Sequence, residues 1–303
     1  MFPSDIHFIE RGWLSANQMY FHDEHHIDIV DSGFCSHAEQ TVLLLKSYLE
    51  QHPSLITRNL LNTHLHSDHC GGNSALQQQF SLTCFVPEAE FLPVNHWKQD
   101  ELGFEELGQP CPVFKAQQSL FPGQSINIGN YHFEIHATPG HHAKSILLFE
   151  PGLKLLISAD VLWEKGFGAL FSGITDPFGF QEQRSSLELI KQLSPKIVFP
   201  GHGKPFMDVQ TSLKNAFSRL DYFEANPHRN SQNVAQVLFK FMLMYEHQIT
   251  LEQALIWFEN TLIITKAAKH LSISSEELMS QTIQSLEKAG VIRKKDTMIV
   301  DLF

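Results

Sequence analysis

Between Thr63 and Gly72 the chain reads Thr-His-Leu-His-Ser-Asp-His-Cys-Gly-Gly, so that three imidazoles and one carboxylate fall within six consecutive positions. Imidazole and carboxylate together are the ligand set of Zn²⁺ or a related first-row metal. The stretch follows the apolar run Ile56 to Leu61, whose short length and abrupt polar end predict a buried strand delivering a loop. A helical site does not fit the spacing, because His64 and His66 would point to different sides of a helix. The i, i+4 pair of a His-Glu-x-x-His helix is also missing. An irregular turn can bring all four side chains toward one point, and Gly71-Gly72 then lets a helix start close behind it. The bland alternative is a polar turn that is histidine-rich in a chain with 18 histidines.

Other stretches tell against that alternative. His64-x-His66-x-Asp68-His69 resembles the metal signature of the metallo-β-lactamase superfamily, glyoxalase II-like hydrolases included, and four further stretches resemble its motifs in order. They are Ile27 to Gly33 with Asp31, Thr138-Pro139-Gly140-His141, Ser158-Ala159-Asp160, and Phe199-Pro200-Gly201-His202-Gly203. The likeness runs from Ile6 to Phe206 and implies an α/β (α+β) fold, a four-layer αββα sandwich with the metal at one edge. It also implies a ligand set: His64, His66 and His141 for one metal, Asp68, His69 and His202 for a second, and Asp160 bridging. The cofactors implied are two divalent ions, Zn²⁺ first, with Fe or Mn as alternatives. A metal lowers the pKa of a bound water to about 7, which makes hydroxide available for attack on an electrophilic carbonyl or phosphorus. Asp68 is then the expected catalytic residue, orienting that water or accepting its proton. His142 follows the third motif where many relatives carry a small residue, so it is expected to line the pocket. Trp163, Phe167 and Phe171 lie in the aromatic, glycine-punctuated segment Val161 to Gly179, expected to form a pocket wall.

Composition narrows the partners. A formal charge of −11 works against binding a polyanion through bulk electrostatics. The 24 phenylalanines suit a large core and could line an apolar pocket. No apolar run approaches membrane-spanning length, and Met1 to Asp5 shows no signal-like pattern. Cys35, Cys70, Cys84 and Cys111 form no Cys-x-x-Cys pair and are expected to be free thiols in a reducing compartment, hence the cytoplasm. Cys70, inside the motif, is expected to pack behind the ligands.

The chain divides by composition into a catalytic domain, 1–207, and a helical domain, 208–303. Strands are expected over Ile6–Glu10, Gln18–His22, Ile27–Val30, Ile56–Leu61 and Leu82–Val86, with a helix over His37–His52 stopped by Pro53. The cluster His22 to His26 is expected to be a solvated hairpin tip. Pro87 to Gln117 shows no sustained period. Four strands follow between Ser125 and Ser158, then a helix over Phe180–Leu193 and a strand over Lys196–Phe199. His132 and His136 alternate with Phe133 and Ile135 and fall outside the motifs. Beyond Asp208 helices are expected over 211–224, 231–246 and 251–258. A helix, a turn, a longer helix over 275–289 and a strand pair ending in 298–303 then resemble a winged helix. That second helix opens with Ser274-Ser275-Glu276-Glu277, where acidic groups suit a helix N-terminus but repel phosphates.

Three function classes follow. The first is a metal-dependent hydrolase of a small ester, thioester, lactone or amide. The second is a mononuclear iron-dependent oxygenase resembling persulfide dioxygenases, for which a complete second ligand set would be surplus. The third is a nucleic-acid processing or regulatory protein, disfavoured by charge. A diiron electron-transfer enzyme does not fit, since that branch places Glu where this chain has His66. The expected partner is a small-molecule substrate, with no nucleic acid, no membrane and a homodimer left open.

Overall fold

Side-chain alternation along the strands explains the layers of the fold. The computed structural model describes residues 3–174 and 177–302. Its first sheet is made of β1 (Ile6–Ile9), β2 (Gln18–His22), β3 (His26–Val30), β4 (Ile56–Leu61), β5 (Thr83–Pro87) and β6 (Gln118–Leu120), hydrogen-bonded in that order. The strands from β1 to β3 pair antiparallel, and those from β3 to β6 pair parallel. Parallel neighbours need crossover connections. These are α1 (Ala38–Gln51), then α2 (Ser67–Cys70) with α3 (Asn73–Gln79), then α4 (Glu88–His96) with α5 (Gln99–Leu102).

The second sheet runs in the order β11-β10-β9-β8-β7. Its members are β7 (Ser125–Ile128), β8 (Tyr131–Ala137), β9 (Ile146–Glu150), β10 (Leu155–Ala159) and β11 (Ile197–Pro200), with α6 (Gly179–Leu193) crossing between the last two. Met19, Phe21, Phe133, Ile135, Leu148 and Ile157 face one another between the sheets. Their sequence neighbours face outward: Tyr20, Ile29 and Leu60 meet Val42 and Leu45 of α1, while Leu147 and Leu156 meet Leu187 and Ile190 of α6. Two sheets with helices on both outer faces make four layers. A slip of one residue in β8 would turn Phe133 and Ile135 outward. Each would lose about 1.5–3 kcal/mol of burial, so the register is held firmly.

The helix after the last motif, α7 (Val209–Ala225), packs Leu213, Ala216 and Leu220 into the same outer core as Leu156 and Leu187. The compositional boundary at 208 therefore precedes a helix of the sandwich, and the change of core comes after Phe223. A separate core follows in α8 (Pro227–Glu246), β12 (Gln248–Thr250), α9 (Leu251–Asn260), α10 (Leu262–Leu271), α11 (Ser275–Lys288), β13 (Ile292–Lys295) and β14 (Met298–Asp301). Thr250 and Gln253 form a capping box on α9, and Ser274 caps α11. The C-terminal sheet has three strands, β12-β14-β13, rather than two. Gln248–Thr250 is too short to show a period. Phe303, the end of the expected last strand, lies outside the described residues. Leu107 and Ala169 from sandwich loops are buried in this second core, so the two parts share packing. Among the described residues no helix is long and apolar enough to cross a membrane.

Candidate metal centre

Every residue of the implied ligand set sits just past the C-terminal end of a strand. His64 and His66 follow β4, Asp68 and His69 lie on the short helix α2, His141 follows β8, Asp160 follows β10 and His202 follows β11. All seven are buried. A register irregularity between Ile157 and Ala159, with Ala159 at φ 45°, turns the chain so that Asp160 leaves the strand toward the site. Gly201 has to be glycine, since a Cβ there would collide with Asp160 Oδ1.

The donor atoms fall into two clusters. One ligand atom from each of His64, His66 and His141 lies within 4.8 Å of the others, and the same holds for Asp68, His69, Asp160 and His202. Asp160 stands between the clusters: Oδ2 is 3.4 Å from His141 Nε2, and Oδ1 is 3.3 Å from His69 Nε2. His69 Nε2 and His141 Nε2 are buried without a hydrogen-bond partner, which is costly unless a cation accepts their lone pairs. The rings are held from behind. His69 Nδ1 is 2.8 Å from Asp31 Oδ2, His141 Nδ1 is 2.7 Å from the Ala169 carbonyl, and His202 Nδ1 is 3.2 Å from that of Gly12. Such partners fix the tautomer that leaves Nε2 facing the site. Asp31 is itself fixed at both oxygens by Thr63 N and Thr63 Oγ1, each at 2.9 Å.

The electrostatics separate the two clusters. Burial and the neighbouring imidazoles hold His64 and His66 well below the ordinary histidine pKa, so both are neutral donors. Burial also depresses His69, but Asp31, Asp160 and Asp68 outweigh it and raise the group well above its ordinary value. Burial pushes Asp160 up, and His69, His202 and His141 reverse that and hold it below the usual carboxylate range. The second cluster thus sets the carboxylates of Asp68 and Asp160 against the imidazoles of His69 and His202, whereas the first is imidazole alone.

The other sequence-derived positions divide. Trp163, Phe167 and Phe171 line a cavity of about 420 Å³ that opens on Asp68, Asp160, His141 and His202. Trp163 Nε1 also donates to Asp160 Oδ1 at 3.2 Å. Within the expected wall segment, Thr175 and Asp176 lie outside the described residues. His142 is not in the cavity lining: it packs behind His66 and turns Nε2 toward the buried Glu90, 3.4 Å away. Burial, with His141 and Lys144, pushes its pKa down to about 3. The expected packing role of Cys70 has a definite form: it is fully buried and donates to the His66 carbonyl, with Cys111 Sγ 3.7 Å away. The hairpin tip at His22 to His26 is organised by Asp23, which accepts from His25 N and His26 N and pairs with Arg58. His132 is exposed and meets Asn127.

Several lining residues carry no motif. Trp13 stacks on His202 with centroids 5.5 Å apart and planes 6° apart. Arg219 enters from α7, and Asn233, Gln236, Lys240 and Phe241 enter from α8. The sign that could have found the α8 residues is the polar spacing Asn233, Gln236, Lys240 on one side of an otherwise apolar helix face.

Residues 11–202, well over half of the chain, match the Metallo-beta-lactamase superfamily. The chain belongs to that superfamily. A hydroxyacylglutathione hydrolase of Bdellovibrio bacteriovorus is 32% identical over 137 residues, 45% of each chain. A probable metallo-hydrolase of Bacillus subtilis is 26% identical over 207 residues, 66% of this chain and 90% of the relative. The chain spans about half the length of the hydroxyacylglutathione hydrolases it matches. A beta-lactamase domain protein from Burkholderia ambifaria superposes over 100% of this chain and 93% of its own, with a TM-score of 0.62 and 17% identity. That likeness concerns the fold alone, and it includes the C-terminal helices. Within the superfamily, the buried His and Asp clusters fit divalent metal ions.

Proposed function

We propose that this protein is a metal-dependent hydrolase of a small ester, thioester, lactone or amide, working with two divalent cations, Zn²⁺ foremost. The observation that carries the reading is the complete second cluster, Asp68, His69 and His202, beside a complete first cluster and sharing Asp160 with it. The donor chemistry fits: neutral, buried imidazoles on one side, and carboxylates with oriented imidazoles on the other. His64, His66 and His141 would hold one ion, Asp68, His69 and His202 the other, and Asp160 both. Bound there, such ions supply Lewis-acid polarisation of a carbonyl and acidification of a water to a pKa of about 7.

The chain's own residues do the rest. Asp68 lines the cavity and offers a carboxylate oxygen as proton acceptor, steadied by His202 Nε2 at 3.0 Å. Trp163, Phe167 and Phe171 present apolar surface to the substrate. The relatives named hydroxyacylglutathione hydrolase favour an acyl substrate among the candidates. The C-terminal part, helices α8 to α11 with the sheet β12-β14-β13, we assign to walling the cavity through α8 rather than to nucleic acid, since Glu276 and Glu277 open α11. A cytoplasmic setting is consistent with four free cysteines.

The test is metal analysis of protein reconstituted with zinc, followed by an ester, thioester and lactone panel run with and without oxygen. Two ions per chain and unchanged anaerobic turnover are expected. One iron per chain, with turnover that stops when oxygen is removed, would move the protein to the oxygenase class.

A further inference from the structure

Arg219 is a cation lining the cavity, and among the described residues no carboxylate pairs with it. Its guanidinium lies over the faces of Phe167 and Phe223, with centroids 5.1 Å and 5.4 Å away. Among the described residues it has no hydrogen-bond acceptor and no carboxylate at ion-pair distance, and burial alone acts on it. A guanidinium keeps its charge even so, with five N–H donors and no acceptor. The other cation in the lining, Lys240, is engaged by Asp301 and by the Val291 carbonyl. Among the described residues, the carboxylates in the lining are Asp68 and Asp160, and both belong to the metal cluster. A Cβ at Gly166 would lie 2.7 Å from Arg219 Nη1, so glycine there leaves the guanidinium its room. Asn233 Nδ2 is buried in the same lining and has no partner.

Arg219 is half-buried, so its guanidinium is partly withdrawn from water without a counter-ion, and ring faces recover only part of that loss. An anion entering the cavity would recover the remainder through charge-assisted, bidentate hydrogen bonds. We propose that Arg219 determines the specificity of the cavity by pairing with a carboxylate that the substrate carries apart from its scissile acyl group, with Asn233 as a second donor. The inference rests on the hydrolase reading for what is cleaved, and on the cavity lining for what is bound. A monoanion matches one free guanidinium and one amide. A phosphate dianion would call for a second free cation, and Lys240 is already held.

The experiment uses the full chain reconstituted with zinc. Calorimetry compares 3-phenylpropionate, its neutral amide and phenylphosphonate on the wild type, Arg219→Gln and Arg219→Lys. Kinetics compare a carboxylate-bearing thioester with its neutral methyl ester. Arg219→Gln is expected to weaken phenylpropionate binding at least tenfold, to raise KM for the anionic thioester by a similar factor and to leave the neutral substrate within about twofold, with Arg219→Lys intermediate. Equal losses on charged and neutral ligands would overturn the assignment, and so would phosphonate binding more tightly than carboxylate. Arg219→Lys keeps the charge in place should Arg219→Gln fold poorly. If carboxylate binding depends on Arg219 while no substrate turns over, the specificity site stands and the hydrolase reading fails. If turnover is brisk and indifferent to Arg219, the reverse holds.

Discussion

The loop edge of the sandwich and the helix α8 border the same cavity, yet they are built in opposite ways. At the sandwich edge seven buried ionisable groups converge, with the rings of His69, His141 and His202 held from behind by a carboxylate or carbonyl. Along α8 the side turned away from the cavity is apolar core, with Val234, Phe239 and Leu243 fully buried, and the cavity side carries scattered amides. The first region places charge; the second places shape. Changes in the first should therefore alter chemistry at nearly constant stability, and changes in the second should alter stability or affinity while the metal stays in place.

The strongest way to break that contrast is Asp68→Ala. It removes an anionic ligand and the proton acceptor together, in a fold whose cores do not include it. Turnover should fall by at least about 10²- to 10⁴-fold, the range of general-base effects alone. The melting temperature, measured at saturating metal, should hardly move. His132→Ala, exposed on β8, is the control and should leave metal content and rate alone. Full activity and two metals in Asp68→Ala would remove the basis of the comparison.

Phe239→Ala tests the other half. Phe239 is fully buried against Phe258 and Trp257, and its truncation should cost about 3–5 kcal/mol, read from denaturant unfolding. Metal content per folded chain should be unchanged, because no ligand lies in this core. Loss of metal in step with stability would show that the two regions are not energetically separable. The smallest expected effect is none at all. A duplex-DNA titration at low salt should reveal no steeply salt-dependent affinity, since α11 opens with Glu276 and Glu277 and the chain carries a net charge of −11. Tight binding that weakens sharply with salt would give the C-terminal region a second role.

The five motifs and the layered strand pattern were legible because their cause is local. A strand alternates in two, and a ligand loop needs its imidazoles within a few residues. The same locality misled at two points. His142 looked like a pocket residue from its place beside His141, but Glu90, far away in sequence, draws it behind the ligands. The composition shift at 208 falls just before α7, yet α7 packs with the sandwich, because Leu213 and Leu220 bury in the same core as Leu156.

The sequence by itself marked the strands, through side-chain period, and one histidine-rich loop fit for a metal. The four-layer fold class and the seven candidate ligands came from the resemblance of five ordered motifs to the superfamily's. The tertiary structure alone decided which carbonyls orient the rings, and that Trp13, Arg219 and α8 close the cavity. Contacts between residues some 200 positions apart, such as Gly12 with His202 or Trp13 with His202, leave no periodic mark in a single chain. That Arg219 lies over Phe167 and Phe223 with no carboxylate beside it among the described residues likewise shows only once the helices are packed.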